Sequence, residues 1–193
     1  MRKLIRAVFV PVLTLIGVCL LSASPLAAQQ GAVTPVSSVD LKRYSGKWFE
    51  IARLPTKFQK QCVGNTTTTF NTMTQNGQLQ VLNTCLQKSG KIDQLRGEAK
   101  VIDASTNAKM KVSFPKFSSD SFWVLDLDPN YQYAVVGNPD REYLWILSRA
   151  PQMDDGTYQQ ILRRLERMGF KPNKLVKTPQ NVETLKGTVM EKQ

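Results

Sequence analysis

The sequence predicts an all-β domain, an eight-stranded antiparallel up-and-down barrel with one C-terminal α-helix packed on its outside. Short segments that alternate between apolar and polar residues recur between residues 46 and 148, and turn residues separate them. A helical period of about 3.6 residues occurs only afterwards, in residues 154–168. Strands that follow one another in this way form a meander, and closing the meander into a barrel removes its exposed edges.

The first 28 residues have the layout of a secretory signal peptide. Basic residues within positions 2–6 precede an apolar stretch, residues 7–21, and small residues follow it. We therefore expect export to the periplasm, with cleavage after Ala27 or Ala28. The alternative is a retained membrane anchor, but the apolar stretch is shorter than the roughly 20 residues of a spanning helix and Pro11 interrupts it.

Cys19 raises the question of a lipid anchor, because a lipidated cysteine would begin the mature chain. Such a cysteine follows a small residue, whereas the branched Val18 precedes Cys19 and Leu20 continues the apolar core. We expect Cys19 to be discarded with the signal peptide. The mature protein is then soluble in the periplasm rather than anchored to the outer membrane.

The charge of the chain restricts its possible functions. The formal net charge is +11, and removal of the three basic residues of the signal peptide leaves about +8. This excess favours an anionic membrane surface as a partner, or serves solubility alone. The basic residues are scattered, so nucleic-acid binding has little support. The chain has no histidine, which excludes Ser-His-Asp and Cys-His catalysis and any His-ligated metal site.

The first strand is predicted over Gly46–Pro55, where residues alternate between two apolar faces. Gly46 leaves room for close backbone approach, and Pro55 ends the strand. One face carries Trp48, Glu50, Ala52 and Leu54, and the other carries Phe49 and Ile51.

A hairpin follows, formed by Val63–Met73, a turn at Gln75–Gly77 and Leu79–Leu86. Asn-Gly is a strong hairpin signal. The hairpin brings Cys62 and Cys85 to neighbouring strand ends, and two cysteines in an exported chain predict a disulfide. This bond would contribute about 3 kcal/mol in the chain-entropy model. A reactive or metal-binding thiol lacks a base or further soft ligands.

The remaining strands keep the same spacing, and Gly97 is suited to a β-bulge in the first of them. They are predicted at Ile92–Ile102, Lys109–Phe114, Ser121–Leu127, Tyr131–Gly137 and Glu142–Ser148. A connection is expected over Pro115–Asp120.

An amphipathic helix is predicted at about residues 154–168, capped by Asp154 or Asp155 and ended by Gly169. Its single apolar stripe should pack on the outside of the barrel. A short final strand is expected at Lys174–Lys177. The barrel domain therefore spans residues 29–178, and the weakly apolar residues 179–193 are expected to form a flexible tail.

Two motifs resemble those of the lipocalin family, particularly the bacterial outer-membrane lipocalins and the apolipoprotein D-like subgroup. The order Gly46-x-Trp48-Phe49-Glu50-Ile51-Ala52-Arg53-x-Pro55 is similar to the first lipocalin strand, and Leu144–Arg149 is similar to the last one. The middle motif is weaker, since Asp126 and Tyr131 are spaced differently. The resemblance covers about residues 40–178. It implies that Gly46, Trp48 and Arg149 close one end of the barrel, with Arg149 packed over Trp48 for about 0.5–2 kcal/mol.

The resemblance also implies a cavity lined by aromatic side chains with a few polar groups near its mouth. Ordinary core packing is the alternative for each candidate, and for Glu50 it is a buried carboxylate satisfied by Tyr or Arg neighbours. The candidate ligand-binding residues are Trp123, Trp145, Tyr133, Tyr143, Phe70, Leu82 and Glu50.

The expected function is periplasmic binding and storage or transport of a lipophilic small molecule, such as a fatty acid or lysophospholipid, for envelope lipid maintenance. We expect no enzyme, catalytic residue, cofactor or metal. The alternatives are an isomerase-like enzyme on this scaffold, for which Glu50 is the remaining candidate acid, and a protein that interacts with the envelope surface. Either a monomer or a dimer is compatible with the sequence.

Overall fold

The computed structural model describes residues 31–73, 78–115, 117–185 and 188–190 of the 193-residue chain. The predicted signal peptide, Cys19 and the turn at Gln75–Gly77 lie outside these ranges. None of the helices in the described part of the chain has the length and apolar content that a membrane crossing requires.

The predicted barrel is confirmed. Each of the eight strands pairs antiparallel with the next along the chain, and the first also pairs with the eighth, which closes the sheet. The strands are β1 (Gly46–Arg53), β2 (Cys62–Met73), β3 (Gln78–Gln87), β4 (Ile92–Val101), β5 (Lys109–Phe114), β6 (Phe117–Leu127), β7 (Tyr133–Gly137) and β8 (Leu144–Ser148).

Three strand starts differ from the prediction by two or more residues. β6 begins at Phe117, inside the segment expected to be a connection. β7 and β8 begin two residues later than expected, because Tyr131 and Arg141 adopt left-handed φ values of 60° and 62° in the preceding turns. A left-handed residue cannot continue a regular strand, so the turns extend further along the chain than their sequences indicate.

A β-bulge changes the faces of β1. Its register against β8 shifts between Glu50 and Ala52, and this shift reverses the alternation of side chains. Trp48 and Glu50 therefore point into the barrel, whereas Ala52 packs on the outside. The prediction that Ala52 and Leu54 share a face with Trp48 was wrong for this reason.

The bulge predicted at Gly97 is absent, since the β3–β4 register is continuous through this residue. A Cβ atom at Gly97 would lie 2.4 Å from the ring of Phe114 and 2.4 Å from the carbonyl oxygen of Ser113. Glycine is needed here because the end of β5 approaches β4 closely.

Two α-helices in the described ranges flank the strands. The four-residue helix α1 (Leu41–Tyr44) precedes β1, and its N-cap Asp40 accepts backbone hydrogen bonds; the sequence patterns did not predict it. The predicted outer helix is present as α2 (Asp155–Arg167), capped by Asp154. Its apolar stripe packs on outward-facing residues of β1, β7 and β8. This stripe is formed by Tyr158, Ile161 and Leu165.

The C-terminal segment is anchored to β1 and β2 rather than flexible from residue 179. The short strand β9 (Val176–Lys177) pairs with the end of β1. Residues 178–182, which we call the C-terminal strap, continue between β1 and β2, and Val182 is buried. The hairpin of β10 (Glu183–Leu185) and β11 (Thr188–Met190) follows. The expectation of a flexible tail therefore fails for its first four residues.

Candidate ligand-binding site

The two ends of the barrel differ, and the N-terminal segment covers one of them, which we call the base. The backbone N–H of Val39 donates to the carbonyl of Thr106 at 2.7 Å, between β4 and β5. The N–H of Asp40 donates to the hydroxyl of Tyr131 at 2.9 Å, between β6 and β7. Because neighbouring strands are antiparallel, residues 54–61, 88–91 and 138–143 lie at the opposite end, which we call the mouth.

Arg149 closes the base together with Trp48, as the sequence predicts. Its Cζ atom lies 3.6 Å from the centroid of the Trp48 ring. Its guanidinium also donates to the carbonyls of Arg43, Ser45 and Lys47 at 2.7–2.9 Å. At Gly46, where φ is 99°, a Cβ atom would lie 3.3 Å from Nη1 of Arg149. The base is therefore a packed plug.

Packing inside the barrel loosens from the base towards the mouth. Near the base, the inward-facing Trp48 is 0% exposed, and Tyr44 and Phe70 pack beside it with ring centroids 5.1 Å apart. Nearer the mouth, several inward-facing apolar residues, among them Phe122 and Trp145, are only partly buried, although Val136 beside Trp145 is fully buried. We call this upper half of the interior the cup, and its apolar wall is formed by Leu95, Val112, Phe122 and Trp145.

Aromatic rings continue from the cup to the mouth. The ring centroids of Phe122 and Trp145 lie 5.3 Å apart, and those of Trp145 and Tyr143 lie 5.9 Å apart. Tyr143 in turn lies 5.7 Å from Phe58, in the connection between β1 and β2. These four side chains provide an unbroken apolar path from the interior to the rim.

Polar side chains form the part of the cup next to Trp145, around Glu50, which is 2% exposed. Its carboxylate accepts hydrogen bonds from Nε2 of Gln59 at 2.7 Å and from the hydroxyl of Thr178. Nε of Arg53 lies 3.4 Å away. Burial raises the pKa of the Glu50 carboxyl, and the two hydrogen bonds and the charge of Arg53 partly offset this effect.

Gln59 joins the polar and aromatic parts of the cup. It belongs to a short 3-10 turn, Lys57–Gln59, and its Oε1 accepts a hydrogen bond from Nε1 of Trp145 at 3.0 Å. The indole is thereby held in a fixed orientation, since its only polar atom is satisfied.

A family model described as a lipocalin-like domain matches residues 39–180. The chain belongs to the lipocalin family. Temperature-induced lipocalin-1 of Arabidopsis thaliana is 40% identical over 154 residues, covering 76% of this chain and 82% of the relative. Outer membrane lipoprotein Blc of Escherichia coli K12 is 38% identical over 145 residues, covering 75% and 81%. Mouse apolipoprotein D is 32% identical over 149 residues, covering 73% and 77%.

Solved structures agree with this fold. Insecticyanin from the tobacco hornworm aligns with this lipocalin at a TM-score of 0.61 and 20% identity, over 77% of this chain and 85% of that one. Lobster apocrustacyanin A1 aligns at a TM-score of 0.61 and 12% identity, over 78% and 91%.

The structure brings only part of the predicted ligand site of this lipocalin together. Trp145 and Tyr143 line the cup, and Glu50 points into it. Phe70 also points inward, but it belongs to the packed base. The predicted disulfide between Cys62 and Cys85 is confirmed, with a Cα–Cα distance of 5.6 Å.

Trp123 and Tyr133 lie outside the barrel of this lipocalin, so their assignment to the cavity was wrong. Both pack in the apolar cluster beneath α2. Nζ of Lys109 lies 4.8 Å from the Trp123 ring, and Nη2 of Arg164 donates to the Tyr133 hydroxyl at 2.9 Å. The physical reason is strand alternation: Phe122 points inward beside Trp145, so its neighbour Trp123 points outward.

Leu82 also points outward, contrary to the prediction. It lies opposite Thr69 on one side and Arg96 on the other, whereas its neighbour Val81 lies opposite the inward Phe70. Leu82 borders a depression of about 420 Å³ beside the exposed Gln80 and Glu98.

The sequence patterns missed Gln59 and three apolar cup residues of this lipocalin, Leu95, Val112 and Phe122. These three were detectable, because each lies in a predicted strand, but selecting them required knowledge of which strand face points inward. Gln59 carried no signal, since it lies in a connection. Within the described ranges, His, Cys, Asp and Glu side chains form no group of three that could hold a metal ion.

Proposed function

We propose that this lipocalin binds a lipophilic small molecule that carries one polar group, such as a fatty acid or lysophospholipid, in the cup. The observation that carries this proposal is the partial burial of the inward-facing rings of Phe122 and Trp145, in contrast to the buried rings of Trp48 and Phe70 at the base. A barrel serving only as a packed core would bury its inward-facing residues to a similar extent along its whole length.

Binding requires no chemistry. An apolar chain would lie against Leu95, Val112, Phe122 and Trp145, with about 0.8 kcal/mol gained for each buried methylene group. The polar group of the ligand would lie towards Gln59 and Arg53, where hydrogen-bonding side chains reach the interior. A fully apolar ligand would offer no hydrogen bond to this polar part of the cup.

The enzyme alternative has less support. Its candidate acid, Glu50, is already engaged by Thr178, Gln59 and Arg53, and the barrel buries it away from solvent. A general acid must reach the reacting group of a substrate, and these contacts occupy both carboxylate oxygens.

We also infer that the protein is exported and acts in the periplasm in soluble form, storing or carrying lipophiles for envelope maintenance. The signal-peptide layout and the disulfide support export. A related protein is named as an outer membrane lipoprotein, but Val18 and Leu20 do not fit a lipidation box at Cys19.

Titration of the purified mature protein with a fluorescent fatty-acid probe tests ligand binding. Trp145→Ala removes a cup wall and should weaken affinity about tenfold or more, which corresponds to about 1.4 kcal/mol. Trp123→Ala removes the same side chain from the outer surface and is the matched control, with affinity expected to stay within about twofold of wild type. Equal affinity losses in both variants, or a wild-type protein that binds no acyl probe, would refute the proposal.

A further inference from the structure

Four lysines occupy two neighbouring connections at the mouth. Lys57 and Lys60 lie between β1 and β2, and Lys88 and Lys91 lie between β3 and β4. All four side chains are exposed. Both ion pairs found among the described residues lie elsewhere, at Arg53 and at Arg164. The positive charge of these four lysines therefore faces solvent.

The two connections are held together as one unit. The disulfide joins Cys62, just after the first connection, to Cys85, just before the second. Nε2 of Gln61 donates to the carboxylate of Asp93 at 3.0 Å, which links the flanks of the two connections again. The second connection is itself closed by a hydrogen bond from the N–H of Gln87 to the carbonyl of Lys91 at 2.8 Å.

Apolar groups accompany the four lysines. Ile92, next to Lys91, is 59% exposed. Phe58, next to Lys57, is partly exposed at the end of the aromatic path from the cup. We call these six residues the lysine face: Lys57, Phe58, Lys60, Lys88, Lys91 and Ile92. Cationic side chains interspersed with exposed apolar ones suit a lipid surface, which offers anionic head groups above an apolar interior.

Charge is distributed unevenly around the mouth. The connection between β7 and β8 carries the exposed acidic residues Asp140 and Glu142. Its one basic residue, Arg141, donates to the carbonyls of Met168 and Gly31 at 2.8 and 2.7 Å. An anionic surface would therefore attract one side of the mouth and repel the other.

We propose that the lysine face docks this lipocalin onto an anionic phospholipid membrane, with the mouth at the lipid surface. The lysines contact head groups while Ile92 and Phe58 reach the boundary of the acyl region. The disulfide and the Gln61–Asp93 hydrogen bond fix these groups in advance, so little ordering is required on docking. Docking places the aromatic path from the cup directly at the membrane, where an amphiphile can enter or leave.

Sedimentation with lipid vesicles tests the proposal. Wild-type mature protein should bind vesicles that contain phosphatidylglycerol, and much less vesicles of phosphatidylcholine alone. The variant Lys57→Glu/Lys60→Glu/Lys88→Glu/Lys91→Glu should bind the anionic vesicles at least about tenfold more weakly. Added salt should weaken wild-type binding, since it screens exposed charges.

The matched control makes the same change of charge near the base, at four other exposed lysines: Lys42, Lys47, Lys100 and Lys111. This control should retain most of the vesicle binding. Equal losses in the two variants would show that net charge, not the lysine face, governs binding, and would overturn the proposal. Wild-type protein that does not bind anionic vesicles would also overturn the proposal. Both variants are also titrated with the acyl probe in the absence of vesicles. This titration verifies that they are folded, and it tests ligand binding independently of membrane docking.

Discussion

At the scale of single residues, the three tryptophans show that one residue type has a different role in each of three environments. Trp48 fills the base beneath Arg149, Trp145 forms the wall of the cup, and Trp123 packs outside against the cluster under α2. Removal of Trp48 would leave a cavity in a close-packed region, whereas Trp145 is only partly buried. Position relative to the barrel wall decides the role.

Glu50 should make the stability of the barrel depend on pH. Burial raises the pKa of this carboxyl above its ordinary value of 4.5 in the folded state. The folded protein therefore retains a proton that the unfolded chain loses, and stability falls as pH rises through the folded-state pKa. Glu50→Gln removes this titration. Between about pH 4 and pH 8, the melting temperature of the variant should therefore rise relative to that of wild type.

Differential scanning calorimetry across this pH range measures the effect. Glu98→Gln, at an exposed position on β4, is the matched control and should give a constant difference from wild type. If the relative melting temperature of Glu50→Gln instead falls as pH rises, the ionised carboxylate is stabilised by Arg53 and Thr178 more than burial destabilises it.

The sequence identified the base of the barrel more reliably than the cup, and the reason is physical. Trp48 and Arg149 lie in motifs that resemble the first and last lipocalin strands, and this resemblance implies their contact. Trp123 and Phe122 are adjacent aromatic residues in one strand, and only one of them can point inward. Because α2 covers the outer face of β6–β8, both faces bury apolar side chains, so hydrophobicity does not distinguish them.

At the scale of elements, turn residues and periodicity predicted the eight strands and α2. The features that failed depend on contacts distant in sequence. The bulge in β1 appears only in its register with β8, and the role of Gly97 depends on the close approach of Phe114. The short helix α1 has too few residues for a periodic pattern.

The C-terminal strap should contribute substantially to stability. β1 and β2 pair from Gly46 to Phe49 only, and Nε2 of Gln180 then bridges the carbonyls of Glu50 and Thr66 at 2.8 and 3.1 Å. Asn65 adds hydrogen bonds to Val182. Truncation after Lys177 removes these bonds and should cost about 3 kcal/mol, lowering the melting temperature by about 6–12 °C.

Thermal unfolding followed by circular dichroism measures this loss. Truncation after Val182 keeps the strap and removes only the residues beyond it, so its melting temperature should stay within about 2 °C of wild type. Similar melting temperatures for the two truncated proteins would mean that the strap adds little to the barrel.

At the scale of the whole molecule, processing should leave a mature chain that begins at Gln29 or Ala28. The basic, apolar and small-residue regions before this point lead to that expectation. Intact-mass measurement after expression in the periplasm gives the mature N-terminus. A chain that begins at Cys19 with a diacylglyceryl group would instead show a membrane-tethered lipoprotein.

β1 is synthesised early, but its pairing with neighbouring strands is completed late. Its first half pairs with β2, which follows directly, whereas its second half waits for β8 and the strap near the end of the chain. Chains emerge at roughly 5–20 residues per second, and this edge remains unpaired until β8 and the strap have been made. A chain interrupted before β8 would present an open strand edge and so a template for aggregation. Segments made much later therefore protect the first-made strand.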